Sequence, residues 1–304
     1  MLAHSRNIIQ GGRRDAKNTN EEDITPDIWK KVNDADRVEL QQFVDEKAFK
    51  RIRRSQITSD MVIINARLVR KWKRNPDRTY KIKSMLCAKG FLDQLKDQLT
   101  TRSTTATRLS QRMRINQAAC DPDRTLESLD VAGAFLKGFT FQEIQKALKE
   151  LGIHAPTRVV VVFPPMNVFR HLAELSPDFA TAEGQEHNYG LVCVKPLYGL
   201  NDAPLAWQIC LHQFVESTGG ERSQLDENWF SWKEEGRLVA AAATHVDDIA
   251  LTAPVKWMTN MYNAFVNRFG EVTRQQLPFT SIHPLQLRVH QGPERLQDQS
   301  ARIC

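Results

Sequence analysis

The sequence predicts an α+β protein whose second half is a ferredoxin-like antiparallel sheet with helices on one face. Three observations carry this. From Thr125 onward, with residues 140–190 set aside as an insertion, the patterns run strand, helix, strand pair, helix, further strand; that is the order of a split β-α-β-β-α-β motif. The apolar run Leu238–Ala253 is broken only by His245-Val246-Asp247-Asp248, hence a strand, a tight turn and a strand. Upstream, two apolar-alternating runs flank Asn75-Pro76-Asp77, which reads as a hairpin.

In chain order, residues 1–22 are polar and aperiodic with a Gly-Gly-Arg-Arg patch, and read as a disordered basic arm. Leu40, Phe43 and Val44 at helical spacing predict a helix with caps at Asp34 or Asp36. Met61–Val69 and Lys81–Ala88 are the hairpin strands. Thr101–Ala119 predicts a helix with Ala106, Leu109 and Met113 on one face and Arg108, Arg112 and Arg114 elsewhere. Thr125–Val131 alternates as a strand and carries Asp130 near its end. Ile144, Ala147, Leu148 and Leu151 stripe a helix stopped by Gly152. Val159–Phe163 is a β-branched strand, and 166–190 reads as irregular. Trp207, Cys210, Leu211 and Phe214 mark a helix that tolerates Pro204 in its first turn. Met258, Met261, Tyr262, Phe265 and Phe269 mark the last helix, ended by Gly270.

Composition narrows the function. Hydrophobic residues at 41% and charged ones at 26% are ordinary for a globular chain. No apolar run reaches the length of a membrane span, so no membrane partner is expected. Five scattered cysteines without a C-x-x-C pair point to a reducing, intracellular setting rather than a disulfide framework or zinc knuckle. The charge is uneven: +11 over residues 1–125 and −5 over the rest. Residues 47–89 hold 14 basic side chains against Asp60 and Asp77 alone, with aromatic residues interleaved. A long basic stretch of this kind suits a polyanion such as nucleic acid better than a merely solvated face. No phosphate-binding Gly-x-x-x-x-Gly-Lys loop and no Gly-x-Ser-x-Gly elbow occurs.

Asp247 and Asp248 sit side by side within an apolar run. A hairpin tip takes aspartate for its own reasons, so the pair alone is ambiguous. Asp130 ends another apolar strand, and the split motif lays that strand beside the central hairpin. Three carboxylates at one sheet edge form a hard oxygen site suited to Mg²⁺.

Longer motifs sharpen this reading. Leu129-Asp130-Val131-Ala132-Gly133-Ala134-Phe135-Leu136-Lys137-Gly138 resembles L-D-V-x-x-A-F-L-x-G of copia-type retrotransposon reverse transcriptases. The run from Leu197-Tyr198-Gly199-Leu200 to Ala203-Pro204-Leu205-Ala206-Trp207 resembles L-Y-G-L-K-Q-A-P-R-A-W, and His245-Val246-Asp247-Asp248 resembles Y-V-D-D. Lys83–Phe91 resembles K-A-R-L-V-A-K-G-F, and Ser223–Phe230 resembles S-x-x-D-x-x-x-F. The matches are in order over about residues 25–255.

The resemblance implies an RNA-dependent DNA polymerase with right-hand fingers and palm. The arm would be 1–22, the fingers-like basic region 23–124, and the palm 125–270 with the insertion at about 140–190. Residues 271–304 would be a divergent or truncated tail, leaving the thumb incomplete. It implies two Mg²⁺ ions, or Mn²⁺ in their place, held by Asp130, the carbonyl of Val131, Asp247 and Asp248. Phe135 would exclude a ribose 2′-hydroxyl. Gly199, Ala203 and Pro204 would shape the template-base pocket, Tyr198 would join Gly199 in binding substrate, and Lys83 and Lys89 would contact triphosphate or template. The implied partners are an RNA template, a DNA primer and dNTPs, with RNase H and integrase regions in a parent polyprotein, in the cytoplasm or nucleus. Departures are Met85 for Arg, Asn201, Asp202 and Leu205 for Lys, Gln and Arg, and His245 for Tyr. Those at 201, 202 and 205 remove two positive charges and add a negative one, and Met85 removes a further positive charge, which leaves open a catalytically degenerate copy that only binds nucleic acid.

Overall fold

The computed structural model describes residues 7–10, 19–20, 25–75, 77–101, 103–153 and 156–276. The elements are β1 (Asn7–Ile9), β2 (Thr19–Asn20), α1 (Pro26–Asp45), β3 (Phe49–Arg53), β4 (Val62–Arg74) and β5 (Tyr80–Ala88). Then come α2 (Arg108–Cys120), β6 (Arg124–Val131), α3 (Ala134–Lys137), α4 (Phe141–Glu150), β7 (Val160–Phe163), α5 (Met166–Leu175) and β8 (Tyr189–Cys193). The rest are α6 (Ala203–Ser217), β9 (Glu221–Arg222), β10 (Trp229–Glu234), β11 (Arg237–His245), β12 (Asp248–Pro254), α7 (Val255–Phe269) and β13 (Val272–Gln276). The protein is thus a mixed α+β chain, and no helix among the described residues is long and apolar enough to cross a membrane.

The chain divides into two units. The first comprises residues 1–102 and 135–210, the second 103–134 and 211–304. This differs from the expected division: the insertion belongs to the first unit and residues 103–124 to the second. Pairing explains it, because β7 and β8 complete the first unit's sheet while α2 packs on β6, β11 and β12.

The first unit holds a five-stranded sheet in the order β3-β8-β7-β4-β5, with β4 and β7 parallel and the other pairs antiparallel. β4 serves two partners: Val62–Asn65 pair with β7, and Ala66–Arg74 with β5. Its core joins Leu40 and Phe43 of α1 to Ile64, Leu86, Val160, Val162 and Leu191 of the sheet and to Phe169 and Leu172 of α5. The helix α5 was not expected; Val168, Phe169 and Leu172 bury one of its faces. α1 begins at Thr25, whose hydroxyl accepts from Ile28 N, with Pro26 in the first turn. Asp36 is therefore no cap; it lies fully buried and pairs with Arg70 at 2.6 Å and with Ser84. The arm expected to be disordered supplies the pair β1 and β2, and Ile9 is buried against Val32 and Ile82.

The second unit is a six-stranded antiparallel sheet in the order β13-β6-β12-β11-β10-β9. Its first four members have the expected split-motif order, β6 beside β12. Helices cover both faces, not one. Leu126 clusters with Ala118 and Ile115 of α2. One residue along β6, Glu127 faces the other way and pairs with Arg274, which reaches Thr259 of α7. On that side Phe214 packs edge-on against Phe265 and Phe269 at 4.9 and 5.0 Å.

The buried face of α2 is Ser110, Arg114 and Ala118, while Leu109 and Met113 are exposed. Asp226 turns the helix this way. Its carboxylate accepts from Thr107 N at 2.8 Å, from Asn228 N at 3.0 Å and from Ser110 Oγ, drawing the serine face onto the sheet. Arg114 is carried in with it. No group among the described residues hydrogen-bonds its guanidinium, and burial lowers its pKa to about 10. The expected tail lies outside the described residues beyond Gln276; within them, residues 272–276 form β13 on β6.

Candidate active site

Alternation along β6 buries Leu129 and Val131 beneath α7 and leaves Asp130 exposed on the opposite face. Across the ladder, Asp130 lies opposite Asp248 on one side and Thr273 on the other. Asp248 also lies opposite His245, which bridges to Thr105. Residues opposite in antiparallel strands share a face with Cβ atoms about 4.5–5.5 Å apart. The fold thus places two carboxylates, distant in sequence, beside each other at a strand end.

Val246 and Asp247 form the two-residue turn between β11 and β12, and Val246 has a φ of 57° while Asp247 does not share the positive φ. A positive φ at the first turn residue alone is the pattern of a II′ turn, which normally takes glycine there. Asp247 is exposed at the tip and Asp248 half-buried. The register therefore sets Asp248, rather than Asp247, across from Asp130.

Like charges directly opposite in a sheet repel. Oxygen-only donors fit a hard ion such as Mg²⁺. Among the described residues, no group of three or more His, Cys, Asp or Glu side chains closes into a metal-holding set. What is assembled is a carboxylate pair with Asp247 beside it on the turn. Val131, the other expected ligand, is a buried β6 residue opposite Val272.

The remaining expected residues lie in the first unit. Arg67, Val69, Lys71 and Lys73 of β4 lie opposite Cys87, Met85, Lys83 and Lys81 of β5, so one face of the hairpin carries five basic side chains, all exposed. The other face is used up by α1 through Asp36–Arg70 and through Glu39, which accepts from Leu86 N at 3.0 Å. Lys71 against Lys83 and Lys73 against Lys81 are repulsive pairs that a polyanion would relieve. Lys89, half-buried just past β5, donates its backbone N–H to Asn65 O at 2.8 Å.

The Gly residues of two motifs explain each other. A Cβ on Gly90 would fall 2.0 Å from Gly199 O, and one on Gly199 would fall 2.1 Å from Ala88 O. Gly199 also has a φ of 91°. Only glycine permits this approach, which Ala88 N seals by donating to Tyr198 O at 2.7 Å. Phe135 is half-buried and its ring stands 5.2 Å from that of Tyr198. Gly138 lies against the backbone of the fully buried Trp207.

The reading from sequence missed Arg158. Its guanidinium bonds Asp93 and, at 2.8 Å, Asp202. The negative charge that Asp202 adds to the Tyr198-Gly199 motif is thus held in a buried triad. Burial raises the Asp202 pKa, with Arg158 opposing that shift. Leu205, where the resemblance has Arg, packs with Ile144 and Leu148. Nothing local in the sequence links positions 93, 158 and 202; only the sheet order brings them together.

No protein-family model matches the sequence, and no curated protein matches it. Among solved structures the chain is similar to telomerase from Candida albicans in complex with a TWJ fragment of telomeric RNA, at 10% identity and a TM-score of 0.40. The match covers 84% of this chain and 47% of the telomerase chain, so this chain spans about half the length of that protein.

Proposed function

We propose that the chain is the polymerase part of a copia-type retrotransposon reverse transcriptase, joining a dNTP to a primer 3′-hydroxyl on an RNA or DNA template. The observation that carries this is the register of Asp130 opposite Asp248 at the end of β6, beside the Val246-Asp247 turn. The motifs that resemble the family contain these same residues. In this reading the second unit is the palm and the first unit supplies the fingers.

Asp130, Asp247, Asp248 and the Val131 carbonyl would hold the ions. Bound there, a pair of Mg²⁺ ions supplies a more acidic primer hydroxyl and a counter-charge for the departing pyrophosphate. The chain's own residues do the rest. The carboxylates fix the site on a central strand paired on both edges, so it is rigid. The hairpin lysines and arginines would neutralise template or triphosphate charge, with Lys83 and Lys89 among them. Phe135, braced by Tyr198, would fill the space that a 2′-hydroxyl needs and so select deoxynucleotides. An intracellular site of action, in cytoplasm or nucleus, goes with this reading, as do RNase H and integrase regions in a parent polyprotein.

A second reading, a degenerate copy that only binds nucleic acid, is favoured by one specific observation. Asp202 and Leu205, at positions where the family carries Gln and Arg, are here spent on internal packing with Arg158, Ile144 and Leu148. Primer extension separates the two. With a primed RNA template, dNTPs and Mg²⁺, the wild-type chain is expected to extend the primer, and Asp247→Ala to lose at least about a thousandfold of that rate. Absent extension with salt-sensitive duplex binding equal in both proteins would establish the second reading.

A further inference from the structure

In the second unit β10 begins at Trp229, opposite Ala243, so its ladder with β11 stops short of the turn. Beyond Ala243, β11 runs on to His245, which lies opposite Asp248, and then to the turn that carries Asp247. Residues outside the helices and strands hold this end. Thr244 N donates to Asn228 O at 2.9 Å, Thr244 O accepts from Ala106 N at 2.9 Å, and Thr105 bridges to His245. The Thr244 hydroxyl donates to Asn228 Oδ1, again at 2.9 Å. The same oxygen lies 3.3 Å from His212 Nε2. Arg222, which can only donate, stands 3.5 Å from His212 Nδ1; Nδ1 therefore accepts, and Nε2 carries the proton that points at Asn228. On its other side Asn228 Nδ2 donates to Thr104 Oγ1 at 2.6 Å. Asn228, Thr244 and His212 are all buried. Two donors on Oδ1 and an acceptor at Nδ2 fix the way the amide lies. One side chain thus ties Thr244 to the segment that flanks it, and a buried network of this kind rigidifies what it joins.

We propose that Asn228 is a positioning residue for the candidate active site: it fixes the end of β11 and so the place of the turn that presents Asp247 and Asp248. Val246 in that turn has a φ of 57°, and a strained residue keeps its conformation only where its flanks are held. The motif over Ser223–Phe230 leaves position 228 open, so the resemblance does not supply this role. What the positioning serves rests on the polymerase reading; the holding of the turn does not.

The test compares Asn228→Ala with Asn228→Asp in the full chain. Alanine strips the acceptor and the donor; aspartate keeps the acceptor, and the Thr104 hydroxyl can turn to donate to it. Amide hydrogen exchange at residues 245–248 is expected to quicken at least tenfold in Asn228→Ala, with α7 and β13 unchanged and Asn228→Asp close to wild type. Mn²⁺ titration, with and without a primed RNA template, is expected to show at least fivefold weaker binding in Asn228→Ala and recovery in Asn228→Asp. Should Asn228→Ala fail to fold, Thr244→Val removes one of the bonds at nearly constant volume and is read in the same way. Unchanged exchange at 245–248, or a rise shared equally by α7 and β13, overturns the proposal. So does quickened exchange with unchanged Mn²⁺ affinity, which reduces Asn228 to a prop for the fold. A wild-type chain that binds no Mn²⁺ brings down the metal reading and the positioning role with it, while the exchange comparison still decides whether Asn228 holds the turn.

Discussion

At the level of single residues, Val246 combines a β-branched side chain with a φ of 57°. That region costs a non-glycine residue about 1–2 kcal/mol, and strain of this kind gathers at functional sites. Here it sets Asp247 at the tip between His245 and Asp248. Val246→Gly relieves the strain, partly offset by the freer unfolded chain, so stability is expected to rise by about 1 kcal/mol in denaturant unfolding. If the strain serves catalysis, primer extension falls in the same variant; equal or higher activity would show that the turn merely tolerates valine. Gly90 and Gly199 are constrained in the opposite sense, since at each a Cβ would run into backbone that has no room for it.

Among elements, the hairpin β4–β5 is the clearest case of a surface built against its own stability. Lys71 opposite Lys83 and Lys73 opposite Lys81 repel, each pair at a cost of a few tenths of a kcal/mol. Replacing Lys71 and Lys83 by Ala is expected to stabilise the free protein slightly. It should also weaken nucleic-acid binding and reduce the slope of log affinity against log salt by about 2, one for each phosphate that is no longer neutralised. An unchanged slope would place the binding face elsewhere. The loops packed around Arg158 behave differently. Arg158→Met would strand Asp93 and Asp202 in the interior, and unfolding is expected to become easier by about 3–5 kcal/mol. The triple change that also makes both aspartates Asn should recover much of that loss. Failure to recover would mean that Arg158 acts through packing, including its place over the Phe141 ring.

For the molecule as a whole, the two units answer pH with opposite signs. In the first, burial raises Glu39 to a pKa of about 7, against backbone donation from Leu86 and the field of Lys83. The folded state therefore binds the proton more tightly than the unfolded one. Stability is complete below pH 4.5 and is lost as pH rises through 7, by about 3 kcal/mol. In the second unit, burial lowers His212 to about 4, Arg222 adding to the shift. That stability is complete above pH 6.5 and is lost as pH falls through 4, by a similar amount. Glu39→Gln is expected to abolish the loss on the alkaline side of 4.5 and leave the acid limb intact. A single melting curve that shifts identically with pH in both proteins would contradict this.

The strands β4 to β7, β11 and β12, most helices and the motif residues could be read from the sequence, because they are written in local periodicity and turn chemistry. The hairpin around Asn75, the break at His245-Val246-Asp247-Asp248 and the stripe from Met258 to Phe269 are all present as read. The place of β6 beside β12 was legible too, since the split motif leaves little other choice. Long-range pairing settled what local pattern could not. Periodicity put Leu109 and Met113 inside, but Asp226, over a hundred residues away, rotates α2 so that Ser110 and Arg114 are buried. Polarity put Asp36 at a helix end, yet Arg70 and Ser84 draw it into the interior. Asp202 read as a negative charge added near the nucleotide, whereas Arg158 holds it in the interior together with Asp93. For Ser110, Asp36 and Asp202 a long-range hydrogen bond or ion pair offsets the cost of burying a polar group, and such pairing depends on sheet order, which no window of neighbouring residues contains.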